Sequence, residues 1–191
     1  MSFKSALIRH QSMVEDLFSL DEQVNNLLNQ IAKCLAQGNK VLLFGNGGSA
    51  SDAQHLAAEF VVRYHKQRAP LAAIALTTDT SIITAHGNDY DFATIFDRQI
   101  QALAKEGDIA IGLSTSGNSD NVINGIKTAQ QMGCWTCAFT GASGGELLNI
   151  ADDCIRFPAD ETARVQEGHI IVGHWLCEAL DDQVEQLNET E

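Results

Sequence analysis

The stretch VLLFGNGGSASDAQHLAAEFVVR, Val41–Arg63, holds an apolar run, a glycine-rich turn and a helical pattern in direct succession. Val41-Leu42-Leu43-Phe44 has no polar alternation, the pattern of a strand covered on both faces. Gly45-Asn46-Gly47-Gly48-Ser49 stops that run and opens a helix carrying His55 and Glu59. Four residues is about one helical turn, so both side chains lie on one face. A strand–turn–helix unit can hold an anion or a polar ligand at the helix start. A His-x-x-x-Glu pair can hold a metal or move a proton. The two together point to an active site rather than a binding pocket alone.

Outward from this unit, short apolar runs alternate with helical patterns. The predicted strands are Val41–Phe44, Leu71–Leu76, Ile109–Leu113, Trp135–Phe139 and Cys154–Phe157. Helical spacing fills Ser51–Tyr64, Thr80–Ala85, Phe92–Ala104, Asn121–Met132 and Ala163–Leu187. Such alternation means βαβ units and a mainly parallel five-stranded sheet, an α/β three-layer αβα sandwich. Ahead of it, Val24, Leu27, Leu28, Ile31 and Leu35 recur at three and four, predicting one or two amphipathic helices that Gly38-Asn39 terminates.

Ligands of such sheets bind beyond the carboxyl ends of the strands. The first strand runs into Gly45–Ser49, the third into Ser114-Thr115-Ser116-Gly117-Asn118-Ser119 and the fourth into Thr140–Gly145. All three are rich in glycine and hydroxyls and fall on one edge. Four hydroxyls before a helix exceed what an N-cap needs and suit a phosphate monoester, the alternative being a cap with a tight turn. No Gly-Lys-Ser/Thr follows Gly45–Ser49, and no acidic residue closes the second strand, so neither a Walker loop nor a dinucleotide fingerprint is present.

His55 and Glu59 alone also fit a surface pair. Along the last helix Gln166, Ile170 and His174 follow at four-residue steps, so Gln166 and His174 share a face two turns apart. His174 has apolar neighbours and is expected to be buried, either bonded to a backbone carbonyl or at work. His, Glu, Gln and His offer the N and O donors of a Zn²⁺ site, and Glu59 with His174 could form an acid–base pair. His169 lies on another face and reads as structural. Asn88-Asp89, after Gly87, reads locally as a turn, and His86 has no evident partner.

The chain of 191 residues is 45% hydrophobic and 19% charged, an ordinary globular balance. Its net charge of −13 supplies no basic face for nucleic acid, and no run is long enough for a membrane span. An anionic substrate must therefore find positive charge locally, and Arg63 is one candidate. A signal-peptide core is absent from the N-terminus, so a cytoplasmic location is expected. The five cysteines, Cys34, Cys134, Cys137, Cys154 and Cys177, are odd in number and irregular in spacing, as reduced buried thiols are. Cys134-Trp135-Thr136-Cys137 is formally a CxxC but falls in a predicted strand, not at the helix start a redox pair needs.

GNGGSASDAQHLAAEF, GND, STSGNS and RVQEGHIIVGH together resemble the phosphoheptose isomerase family, the sedoheptulose 7-phosphate isomerases of the SIS fold. The resemblance covers nearly the whole chain. It implies a doubly wound, flavodoxin-like sandwich formed by residues 1–191 as a single SIS domain. Residues 1–38 would pack in a homotetramer whose sites form between subunits. It implies one Zn²⁺ per subunit on His55, Glu59, Gln166 and His174, with Glu59 and His174 catalytic. Substrate contacts map onto Asn46, Gly47, Gly48, Ser49, Asn88, Asp89, Ser114, Thr115, Ser116, Ser119 and Gln166, and Arg63 looks like a family arginine near the phosphate. The implied role is supply of heptose for bacterial lipopolysaccharide. This chain departs from the family pattern at Ala50 or Ser51, where a histidine or other polar residue is frequent, and at Ala163, where some members carry an acid. A relative of the same fold associates with the DnaA initiator and regulates replication; it lacks the catalytic set, whereas Glu59 and His174 are both here. An isomerase acting on a shorter sugar phosphate would share the chemistry.

Overall fold

The apolar runs form one parallel sheet in a computed structural model that describes residues 2–188, with backbone alone for 184–188. Its strands are β1 (Val41–Gly45), β2 (Ala73–Ala75), β3 (Ile109–Ser114), β4 (Trp135–Thr140) and β5 (Asp153–Arg156). They lie in the order β2-β1-β3-β4-β5, all parallel. Every residue of β1 and β3 is buried, which is why neither strand alternates polar with apolar.

Successive side chains of a strand point to opposite faces, and the two cores follow that period. Val41 and Leu43 enter one core, with Leu27, Ile31, Leu56, Phe60, Val172 and Leu176. Leu42 and Phe44 enter the other, with Ile95, Ile100, Val122 and Ile126. The first core is covered by α2 (Asp21–Ala36), α3 (Gly48–Val61) and α7 (Thr162–Asn188), the second by α5 (Ile95–Leu103) and α6 (Asp120–Gln131). Helix α1 (Phe3–Asp16) lies against α7, where Arg9 pairs with Glu161 at 2.8 Å and His10 with Glu167 at 2.7 Å. Helix α4 is Thr80–Asp89. Among the described residues no helix is long and apolar enough to cross a membrane.

Several boundaries differ from the sequence expectation, each for a local reason. The second strand is Ala73–Ala75 rather than Leu71–Leu76, because only three residues pair with β1. Helix α3 starts at Gly48, three residues early, because Gly47 takes φ 57° and turns the chain straight from strand to helix. It stops at Val61 rather than Tyr64, since the Phe60 carbonyl accepts from Leu71 N–H at 3.1 Å and from Arg68 at 2.9 Å. Asn88-Asp89 is not a turn: α4 runs through it to Asp89. The Phe92–Ala104 helix splits into a 3₁₀ turn, Phe92–Thr94, capped by the Asp91 side chain, and α5.

Candidate active site

Strand order reverses on either side of β1, since its chain continues to β2 and its other neighbour is β3. The crevice at such a reversal is where a doubly wound sheet binds ligands. Gly45 and Leu113 end the β1–β3 ladder as partners, so the loops that follow both strands emerge side by side. They enclose a cavity of about 270 Å³ lined by Asn46, Gly47, Gly48, Ser49, Leu113, Ser114, Thr115, Ser119, Thr162 and Gln166. An apolar cavity of about 160 Å³ adjoins it, sharing Asn46 and Gly47 and reaching Ile83, Phe92, Ile95 and Phe96.

Helices α3, α6 and α7 all begin at or next to the larger cavity. Three helix starts present backbone N–H groups and partial positive charge to one space. Ser119 is the N-cap of α6 by position, yet its side chain makes no capping bond. Its Oγ instead accepts from Ser114 Oγ at 3.0 Å. The capping explanation of this serine-rich loop therefore fails. Ser116 does not line the cavity; its Oγ accepts the Asn118 N–H at 3.1 Å and shapes the turn. The two loops are tied together by a reciprocal amide pair. Asn46 Nδ2 donates to Asn121 Oδ1 at 2.8 Å, and Asn121 Nδ2 donates to Asn46 Oδ1 at 2.9 Å.

Helices α3 and α7 run side by side, and lower along them lies a second cluster. His55 Nε2 meets His174 Nε2 at 2.8 Å, and Glu59 Oε1 is 3.7 Å from His55 Nε2. The Tyr64 ring stands 5.6 Å from that of His174. His174 is half-buried rather than buried as expected, because the face of α7 that carries it also leaves Ile171 and Trp175 open. Burial holds its imidazole below the ordinary histidine range, His55 adds to the effect and Glu59 opposes it, so the ring is neutral near pH 7.

Two facing Nε2 atoms need a shared proton or a cation between them. With a carboxylate beside them they form an N, N, O donor set of the kind zinc takes. The rings touch each other rather than a common centre, and among the described residues no group of three or more His, Cys, Asp or Glu side chains is arranged as a ready metal site. Gln166 is not with them. Its amide lies against Gly48, at a spot a Cβ on that glycine would occupy. Eight residues separate it from His174, roughly 12 Å along the helix.

Arg63 follows the far end of α3, whose 14 residues put it roughly 20 Å from Gly48. It is exposed and donates to the His65 carbonyl at 3.3 Å. No residue lining the larger cavity is basic. Asn88 and Asp89 are exposed, bond to each other at 2.7 Å and line neither cavity. His86, without an evident partner in the sequence, is buried with Nε2 2.9 Å from Thr94 Oγ1 and stacks on Tyr90. Thr162 is the polar cavity residue the sequence reading missed. The Glu161-Thr162 start of α7 was its signal, and the predicted helix began one residue later.

All five cysteines are free and buried. Burial, with Asp108 adding to it, pushes the Cys134 thiol up to about 11, and burial raises Cys137 well above its usual value. Burial thus disfavours the thiolate that a redox CxxC needs.

The family model of the SIS domain matches residues 8–141. The chain is 58% identical over 163 residues to "Phosphoheptose isomerase" of Aquifex aeolicus, covering 85% of each protein. It is 46% identical over 186 residues to "Phosphoheptose isomerase" of Aliarcobacter butzleri, covering 95% of this chain and 98% of that one. The solved phosphoheptose isomerase of Neisseria gonorrhoeae superimposes with a TM-score of 0.89 at 39% identity, over 94% of this chain and 96% of its own.

Proposed function

Since the chain belongs to the phosphoheptose isomerases of the SIS domain family, we propose that it converts sedoheptulose 7-phosphate to D-glycero-D-manno-heptose 7-phosphate, the aldose–ketose step of heptose supply for lipopolysaccharide. The observation that carries the reading is the pairing of a hydroxyl-lined cavity at three helix starts with a His55–Glu59–His174 cluster on two of the same helices. The first suits a phosphate monoester, the second a proton transfer.

In this reading Ser114, Thr115 and Ser119 hold the phosphate with the N-terminal N–H groups of α6, and Ser116 keeps their loop closed. Asn46, Gly47, Gly48, Ser49 and Gln166 meet the sugar hydroxyls. A neutral His174 can accept the proton from the carbon beside the carbonyl, which leaves an enediolate. Glu59, entering the cycle protonated, gives its proton to the neighbouring carbon. The hydroxyl proton on the first carbon's oxygen passes to the enediolate oxygen, and the His174 proton then returns to Glu59 through solvent. His55, Glu59 and His174 would hold a Zn²⁺, one per subunit, and Gln166 would have to leave Gly48 to join them. When bound, such an ion supplies Lewis-acid polarisation of the substrate carbonyl. Asn88 and Asp89 stand apart from both cavities, so their contacts, like that of Arg63, would reach a site only from another subunit. The exposed Phe18, Val62, Ile171 and Trp175 support the homotetramer, as does an apolar groove of about 250 Å³ between the α1–α2 junction and α7. A cytoplasmic enzyme fits reduced buried thiols. The presence of both Glu59 and His174, the pair that the replication regulator lacks, favours the enzyme over that reading.

Acid–base groups typically supply about 10²–10⁴-fold. Glu59→Gln and His174→Gln should each cost that much in kcat for sedoheptulose 7-phosphate, with unchanged circular dichroism, and a chelator should lower wild-type turnover. Wild-type rates in either variant would remove the acid–base assignment. A folded wild-type protein with no turnover, with or without added zinc, would remove the isomerase.

A further inference from the structure

Helix α3 ends in an arrangement that its length and sequence do not require. Arg68 Nη2 donates to the Glu59 carbonyl at 2.9 Å and Nη1 to the Phe60 carbonyl at 2.9 Å. Its Nε donates to Asp181 Oδ1, on α7, at 2.5 Å. The other carboxylate oxygen, Oδ2, accepts the N–H groups of His65 at 2.7 Å and Lys66 at 2.8 Å. The two side chains are only 2% and 1% exposed. Orphan carbonyls at a helix end are ordinarily met by water, a glycine cap or a 3₁₀ turn. A buried ion pair is a costly substitute, even one that partners two carbonyls and two N–H groups of the backbone. Stability is one reason for it.

Its placement gives a stronger one. The guanidinium grips the carbonyl of Glu59 itself, and Asp181 lies seven residues, about two turns, beyond His174 on the same face of α7. The pair thus joins the helix that carries His55 and Glu59 to the helix that carries His174. Above it the two helices touch at Leu56 and Gly173, where a Cβ would stand 2.6 Å from the leucine Cδ2. Apolar contact fixes how close the helices lie but resists sliding weakly. Directional bonds from one side chain to carbonyls of α3 and a carboxylate of α7 resist sliding strongly.

We infer that the buried Arg68–Asp181 pair is a positioning element of the active site, setting the axial register of α3 on α7 and hence the placement of Glu59 against His174. The inference rests on the proposed isomerase only for the kinetic readout. A misplacement of about 1 Å can cost roughly 100-fold in rate. The test compares the R68M/D181L double variant, which keeps apolar volume, with Asp181→Asn, which keeps shape. Expected are a cooperative thermal transition for the double variant, lowered because the Glu59 and Phe60 carbonyls and the His65 and Lys66 N–H groups lose their partners, kcat lowered about 10–100-fold in both, and KM for sedoheptulose 7-phosphate changed less than about threefold. Imidazole ¹⁵N signals of His55 and His174 in metal-free protein should shift in both. A folded variant of either kind with wild-type kcat and unmoved imidazole signals would overturn the inference. Should wild type itself fail to turn over, the isomerase reading falls alone, and the imidazole signals still decide whether the pair positions the cluster.

Discussion

His169 has no exposed surface, and its ring sits 4.6 Å from that of Phe157 and 5.7 Å from that of Phe139. Neither ring nitrogen has a well-formed hydrogen bond, a rare state for a buried polar group. Burial pulls its pKa down to about 4, with the Thr140 backbone opposing part of the effect. The unfolded chain takes up this proton near pH 6.5 and the native one only near 4. Below about 6.5 the unfolded state binds the extra proton, so stability falls as pH drops through this window and levels off beneath it. At about 1.4 kcal/mol per pH unit the loss is roughly 3 kcal/mol. His169→Phe replaces one ring by another among aromatics and cannot titrate. Urea titrations from pH 7 to 4 should show the variant losing less stability than wild type by about that amount. Parallel curves would mean that His169 is not the group concerned. The sequence reading of His169 as structural matches its position. Its missing partner was beyond that reading, because neighbours from β4 and beyond β5 make the pocket.

At the scale of elements, the Asn46–Asn121 pair joins the β1–α3 loop to the first turn of α6, and Asn121 is 3% exposed. Asn121→Ala leaves the Asn46 amide facing a buried gap, at a cost of about 1–3 kcal/mol. Urea unfolding should show that loss, and inorganic phosphate should inhibit the variant more weakly as the two loops part. Unchanged inhibition would confine the pair to stability. Elements with a strong local signal were legible beforehand: five short apolar-rich runs gave five strands, and in β1 and β3 burial on both faces leaves its mark in every residue. Boundaries set by distant partners were not. Helix α3 stops where Arg68 and Leu71 take its carbonyls, and Gly87-Asn88-Asp89 stays helical while His86 bonds Thr94 and stacks on Tyr90. The four-residue steps from Gln166 to His174 gave a common face correctly, but depth along the helix separates them. Spacing on one helix cannot say which turn of its neighbour each residue meets. Loop chemistry fared better, because strand ends fix where the loops emerge.

The whole molecule carries a net charge of −13, and its phosphate-sized cavity is lined by no basic residue. Helix dipoles and hydroxyls offset part of that field, but a dianionic ester in so acidic a protein calls for a cation. Arg63 is exposed at the end of α3 away from the cavity, in a segment that also holds the exposed Val61 and Val62. A second copy packed through such apolar patches could bring its Arg63 to the first copy's cavity, and the first could return the contact. A site shared in this way makes a specific prediction about mixtures. Arg63→Met should raise KM about 10–100-fold, the worth of a charged hydrogen bond, and Glu59→Gln should lower turnover about 10²–10⁴-fold. When the two variants are unfolded together and refolded, some sites combine an intact Glu59 from one chain with an intact Arg63 from its neighbour. Activity at low substrate should then exceed that of either variant refolded alone. Were both residues supplied by one chain, every site in the mixture would carry one lesion, and activity would stay at the average of the parents. Light scattering on the same samples separates failure to assemble from failure to complement, because only an assembled, inactive mixture counts against sharing.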